Sequence, residues 1–136
     1  MVDQATIDHL VEAARHARQT AYAPYSRFAV GAALLTQSGK VVTGCNIENA
    51  SFGLTVCAER VAIWKAVSEG ETDFLALAVV TSIDGSPCGA CRQVMAEFAL
   101  NMAVIIADLQ QVHRIATVAE LLPGAFTPDD LRNASS

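Results

Sequence analysis

The chain switches between two hydrophobic periods. Near its start, apolar residues fall at Ile7, Leu10, Val11, Ala14 and Ala17, three and four apart, which predicts an amphipathic helix. Asp8 and Glu12 precede Arg15 and His16 along it, an order that suits the helix dipole. Pro24 is expected to stop this helix. Residues 29–36 and 41–47 then read as strands, with Ser38-Gly39 as the hairpin turn between them. A helix is expected from about Cys57 to near Gly70. Residues 75–82 form a strand with almost no polar positions, the mark of a strand buried on both faces. A second helix begins near Cys88 and carries Cys91, Val94, Met95, Phe98 and Ala99 on one face. Residues 102–107 read as another apolar strand, 112–118 as a last strand, and 119–122 as a short helix. This order predicts one α/β domain over 1–136, a three-layer α-β-α arrangement around a central mixed five-stranded sheet that opens with a hairpin.

Composition narrows the function. Hydrophobic residues make up 52% of the 136 positions and charged residues 17%, a balance that excludes a disordered chain. The formal net charge of -5 argues against a partner such as duplex nucleic acid, which calls for a basic face. A small neutral or cationic ligand suits the charge better. The longest apolar run, 74–80, is far short of the ~20 residues a membrane-spanning helix needs. Asp3, Asp8, His9 and Glu12 interrupt any secretory signal core. The expected compartment is the cytoplasm, where reducing conditions favour clustered cysteines as metal ligands or catalysts over disulfides.

The informative residues are Cys57-Ala58-Glu59 and Pro87-Cys88-Gly89-Ala90-Cys91. Cys88 and Cys91, three apart at an expected helix start, put both sulfurs on one side of the first turn. Cys57 stands at the start of the other helix. If the two N-termini face each other, three thiolates meet at one point, and the helix dipoles offset part of the negative charge. Arg60 is expected to hydrogen-bond a cysteine sulfur; its alternative is an ordinary surface ion pair. Three ligands leave a zinc ion an open position, which brings the ionisation of water toward a pKa of about 7. Glu59, two residues beyond Cys57, then stands where a general base belongs. Cys45 reads as a small buried hydrophobe inside a strand. His9, His16 and His113 read as solvated or structural residues. Two other readings stay open. Cys88 and Cys91 also match a thiol redox pair at a helix N-terminus, and a closed, purely structural zinc site results if Cys45 or a histidine supplies a fourth ligand.

Beyond the zinc pattern, the chain resembles the small, homotetrameric, zinc-dependent cytidine deaminases. The similarity runs from about Tyr22 to Leu131. It rests on Ala23-Pro24-Tyr25-Ser26-Arg27-Phe28, Val30-Gly31-Ala32-Ala33, Gly44-Cys45-Asn46-Ile47-Glu48-Asn49-Ala50-Ser51, Val56-Cys57-Ala58-Glu59-Arg60, Pro87-Cys88-Gly89-Ala90-Cys91-Arg92-Gln93 and Leu121-Leu122-Pro123-Gly124-Ala125-Phe126. The resemblance implies hydrolytic deamination of cytidine and deoxycytidine, zinc on Cys57, Cys88 and Cys91, and proton transfer by Glu59. It places Phe28 against the pyrimidine and the backbone of Ala58 at the base edge. It assigns Asn46 and Glu48 to the ribose 3′-hydroxyl; read without it, that pair is a polar strand end satisfying loop backbone. It brings Phe52 and Phe126 into the pocket from neighbouring subunits of a homotetramer, where the residues alone suggest core packing. Gln93 is expected behind the ligands, beside Arg60. A free nucleoside needs no base flipping, in keeping with the acidic charge. An aminopyrimidine nucleoside such as blasticidin S is the rival substrate. The chain departs from the pattern at Phe52, where tyrosine is frequent, at Arg27, where lysine is frequent, and in a short segment over 83–86.

Overall fold

A computed structural model describes residues 2–134. Five strands form one mixed sheet: β1 (Gly31–Thr36), β2 (Val41–Cys45), β3 (Phe74–Val80), β4 (Ala103–Ala107) and β5 (Val112–Thr117). Their order is β2-β1-β3-β4-β5. Only β3 and β4 pair in parallel, Leu77 facing Val104; the other neighbours are antiparallel. The parallel pair requires a crossover, and α3 (Gly89–Phe98) supplies it.

Strand alternation sorts the side chains into two cores. Ala32, Leu34, Leu77, Val79, Val104 and Ile106 face α2 (Ala58–Ser68) and α3. Ala33, Ala76, Ala78, Val80, Ile105 and Ala107 face α1 (Gln4–Ala17) on the other side. Successive residues of a strand point to opposite faces, so an unbroken apolar run such as 76–80 is what a sheet covered on both sides demands. The expected three layers and mixed five-stranded sheet are therefore present.

Two glycines set how closely the helices approach. A Cβ on Gly31 would lie 1.9 Å from the carbonyl oxygen of Ala14, and one on Gly44 would lie 2.5 Å from that of Ala58. Gly44 thus lets the first turn of α2, the turn that carries Glu59, press directly on the sheet.

The expected boundaries fail in instructive places. The first helix ends at Ala17, followed by a tight turn over Arg18–Thr20, and not at Pro24. Tyr22 is already committed elsewhere: its N–H donates to Asn46 O and its carbonyl accepts from Glu48 N–H, so the chain must be extended there. The same pairing ends β2 at Cys45 and not at 47, and Asn46 and Glu48 lie beyond the regular strand. Ile47 bridges both Tyr22 and Val56, which keeps the local alternation. The first strand starts at Gly31 because 24–26 form a turn and 27–30 are irregular chain. Cys45 is half-buried at the strand end, not enclosed within it. Finally, α4 (Val118–Leu121) is followed by an unexpected α5 (Pro128–Ala134). Its signal was present: Thr127 precedes Pro128, and Asp130 accepts from Thr127 N–H at 2.8 Å, a capping arrangement with proline in the first helical position.

Candidate active site

Cys57 and Cys88 are the N-cap residues of α2 and α3, both with extended backbone. Cys57 makes no side-chain cap bond, whereas Cys88 Sγ accepts Cys91 N–H at 3.4 Å, and both first turns direct N–H groups and partial positive charge at the sulfurs. The two helix starts face each other. Cys57 Sγ lies 3.9 Å from Cys88 Sγ, and Cys88 Sγ lies 3.5 Å from Cys91 Sγ. All three sulfurs fall within 4.8 Å of one another. Tetrahedral zinc with Zn–S bonds of about 2.3 Å separates its sulfurs by about 3.8 Å, so the two separations of 3.9 and 3.5 Å suit that ion. Among the described residues, this cluster has three members; Cys45, His9, His16 and His113 do not join it. Cys45 instead lies 3.7 Å from the Thr20 hydroxyl, and His113 pairs with Asp108. A closed four-ligand site has no fourth donor here, and a dithiol redox pair has no use for the third sulfur.

The electrostatics follow from crowding. The Cys57 thiol is pulled down to about 5, first by its hydrogen bond with Cys91 and then by Arg60, against the opposing effect of burial. Cys91 is pushed up by the same contact with Cys57, by burial and by the charge of Glu59. Three thiolates cannot share this space unless a cation joins them. Arg60 supplies part of the balance: its Nη2 donates to Cys57 Sγ at 3.2 Å, and its guanidinium lies 5.9 Å from the Trp64 ring centroid. It is held firmly protonated, chiefly by the Cys57 contact.

Glu59 is 4% exposed. Burial pushes its carboxyl up to about 7, and the charge of Cys57 adds to the rise, while its own backbone N–H and Arg60 oppose it. A carboxyl balanced near neutrality both takes and returns a proton readily. Ala58, beside it, is fully buried at the first position of α2.

The cluster opens into a cavity of about 260 Å³ whose walls include Phe28, Asn46, Glu48, Cys57, Glu59 and Cys88. Asn46 donates from Nδ2 to Phe28 O at 2.7 Å and accepts Val30 N–H at 2.9 Å. Glu48 accepts from Tyr25 N–H, Ser26 N–H and the Ser26 hydroxyl. Both residues therefore satisfy loop backbone, as the bare sequence reading had it, and both also face the cavity. Beyond Glu48 lies a second hollow of about 380 Å³, bounded by Tyr25 and Phe52 and sharing Ser26, Glu48 and Thr55 with the first. Neither lining includes Lys, Arg or His among the described residues.

Phe52 and Phe126 are not core residues: they are 73% and 58% exposed. Phe52 meets Tyr25 edge-on, ring centroids 5.9 Å apart. Gln93 donates from Nε2 to Phe126 O at 2.8 Å, so it fixes the segment that carries Phe126 and does not touch the sulfurs.

Three residues had no role assigned from the sequence. The buried Thr81 hydroxyl accepts Ile83 N–H and Gly85 N–H, both at 3.2 Å, and shapes the loop over the cavity. Arg92 reaches Pro87 O, Leu121 O and Ser86 Oγ, tying the cysteine loop to α4. Ser26 joins Glu48 to Phe28 N–H. Only Thr81, the polar ending of an apolar strand, carried a hint of its role in the sequence.

A family model described as "Cytidine and deoxycytidylate deaminase zinc-binding region" matches residues 4–107. The cytidine deaminase of Sporosarcina psychrophila is 51% identical over 132 residues, covering 95% of this chain and 97% of its own length. That of Halalkalibacterium halodurans is 55% identical over 127 residues, covering 91% and 96%. The crystal structure of cytidine deaminase from Burkholderia pseudomallei superposes with a TM-score of 0.84 at 49% identity, covering 93% of this chain and 100% of that one.

Proposed function

The chain belongs to the cytidine and deoxycytidylate deaminase family of zinc-dependent hydrolytic enzymes, and we propose that it converts cytidine and deoxycytidine to uridine and deoxyuridine, releasing ammonia. The observation that carries this reading is a set of three convergent sulfurs, with no fourth protein donor among the described residues, opening beside the buried carboxyl of Glu59.

Cys57, Cys88 and Cys91 hold the zinc, and Arg60 offsets the charge of Cys57. When bound, zinc supplies Lewis acidity that makes water ionisable near neutral pH. Glu59 Oε takes the proton from the attacking water and delivers it to N3 of the pyrimidine as C4 becomes tetrahedral. The same carboxyl then takes the remaining proton from the oxygen newly bonded to C4 and passes it to the amino group, the C4–N bond breaks as the C4 carbonyl forms, and ammonia leaves. Phe28 lies along the base, and the backbone of Ala58 reads its edge. Asn46 and Glu48 take the ribose hydroxyl. Glu48 is held ionised, first by the Ser26 hydroxyl, and so can act only as an acceptor.

A cavity lined by two carboxylates and no basic residue favours a neutral nucleoside over a phosphorylated one. The sugar-directed pair favours cytidine over blasticidin S. Ammonia release from cytidine, deoxycytidine and blasticidin S, with and without a strong chelator, tests the whole reading. Turnover of either cytidine nucleoside that stops on chelation supports it; no turnover of either refutes it.

The wider organisation belongs to the same proposal. One domain spans 1–136, supported by a single sheet that separates two continuous cores. A homotetramer with shared active sites is supported by the outward rings of Phe52 and Phe126, which a neighbouring copy would cover. Sedimentation of wild type gives the assembly state. A cytoplasmic location is supported by the need to keep three ligand thiols reduced; among the described residues, no helix is long and apolar enough to cross a membrane.

A further inference from the structure

The turn over 25–30 carries Phe28 to the cavity wall and holds an unusual shape. Arg27 has a φ of 59°, the left-handed region that a non-glycine residue enters only at a cost. Its N–H donates to Ala23 O at 2.9 Å. Side chains from 46–48 brace the turn on either side of this point. Glu48 Oε1 accepts Tyr25 N–H at 2.9 Å and Ser26 N–H at 3.1 Å. Asn46 holds Phe28 O and Val30 N–H. The Ser26 hydroxyl joins the two halves: it donates to Glu48 Oε2 and accepts Phe28 N–H at 3.0 Å.

The donor inventory limits what each group can do. A serine hydroxyl has one proton, and here Glu48 takes it, so Ser26 has none to offer a ligand. A carboxylate has about four acceptor lobes. Two N–H groups occupy both lobes of Oε1, and Ser26 occupies one lobe of Oε2. The remaining lobe of Oε2 is the acceptor left for a ligand hydroxyl, and Ser26 decides where it points.

We propose that Ser26 is a positioning residue for substrate recognition: its hydroxyl fixes the free lobe of Glu48 and the backbone of Phe28 together, so that sugar and base are read by one braced unit. This rests on the reading that the cavity takes a nucleoside. Ser26→Ala removes the brace, and Ser26→Thr keeps the hydroxyl. Losing a hydrogen bond to a carboxylate is expected to raise KM for cytidine about tenfold in S26A, with a smaller change in kcat, while S26T stays near wild type. The preference of wild type for cytidine over 2′,3′-dideoxycytidine, which lacks the ring hydroxyls, should shrink in S26A. Amide exchange at Phe28 should quicken in S26A and not in S26T. A loss confined to kcat, an unchanged preference between the two nucleosides, or S26T behaving like S26A overturns the proposal. If wild type turns over no cytidine, the functional reading fails instead, and exchange at Phe28 still decides whether Ser26 braces the turn.

Discussion

The two walls of the cavity are built by different means. The sulfur wall uses regular structure: two helix N-termini whose cap residues are themselves members of the sulfur cluster, resting on a sheet that Gly44 lets α2 touch. The wall of Phe28, Asn46 and Glu48 uses no regular element. It is a turn with a left-handed residue, held by side-chain bonds from an extended segment just past β2. A metal centre tolerates little displacement of its ligands, and helices anchored by buried side chains such as Ile63 and Met95 supply that precision. A wall that must accept and release a substrate can be made from local hydrogen bonds, which cost less to open.

The largest expected effect separates chemistry from construction on the sulfur wall. Glu59→Gln should lower kcat by roughly 10²–10⁴ with zinc content and folding intact. Metal analysis beside steady-state kinetics checks this, and a variant that lost its zinc would show Glu59 to be structural. Next, Arg60→Gln should weaken zinc binding about 10–100-fold, because the charge on Cys57 loses its partner; competition with a chromogenic chelator measures it. On the opposite wall, Asn46→Ala removes a buried amide with two backbone partners and should cost about 1–3 kcal/mol of stability. Denaturant titration gives that value. Zinc affinity should not follow it; a parallel fall would mean that the two walls are one cooperative unit.

The smallest effect comes from a pair that lines neither hollow. Asp108 Oδ2 lies 2.6 Å from His113 Nε2, and the carboxyl is held down at about 2, first by that contact. His113 is correspondingly raised, chiefly by Asp108. A raised histidine contributes below its ordinary 6.5 and stops contributing as pH climbs through the raised value; a lowered carboxyl contributes above its ordinary 3.8 and stops as pH falls through about 2. The pair therefore stabilises most between those two ordinary values. Asp108→Asn, which still accepts Gln110 and Gln111 N–H, should lower the melting temperature slightly at pH 5 and hardly at all at pH 9. An equal shift at both pH values would show that charge plays no part.

Much of the sulfur wall was legible in one dimension. The Cys88–Cys91 spacing fixes two sulfurs within a helical turn, and Glu59 follows Cys57 by two positions, because helix geometry is local. The apolar runs of β3 and β4 announced a sheet covered on both faces. The other wall was legible only as resemblance. Nothing local says that Asn46 will reach across 16 positions to Val30, or that Tyr22 will pair with 46–48 and so end both α1 and β2 early. Nor does spacing reveal Ser26, whose role exists only once Glu48 is beside it.

The sequence by itself determined most of the elements, the Cys88–Cys91 pair and the carboxyl beside Cys57, since each follows from contacts within a few residues. Only the tertiary structure decided that Cys57 meets Cys88, 31 positions away, and that the turn over 25–30 closes on 46–48. Those meetings depend on the strand order β2-β1-β3-β4-β5 and on how closely α2 packs against the sheet. Both are set by burial summed over two whole cores, and no short stretch of chain contains that sum.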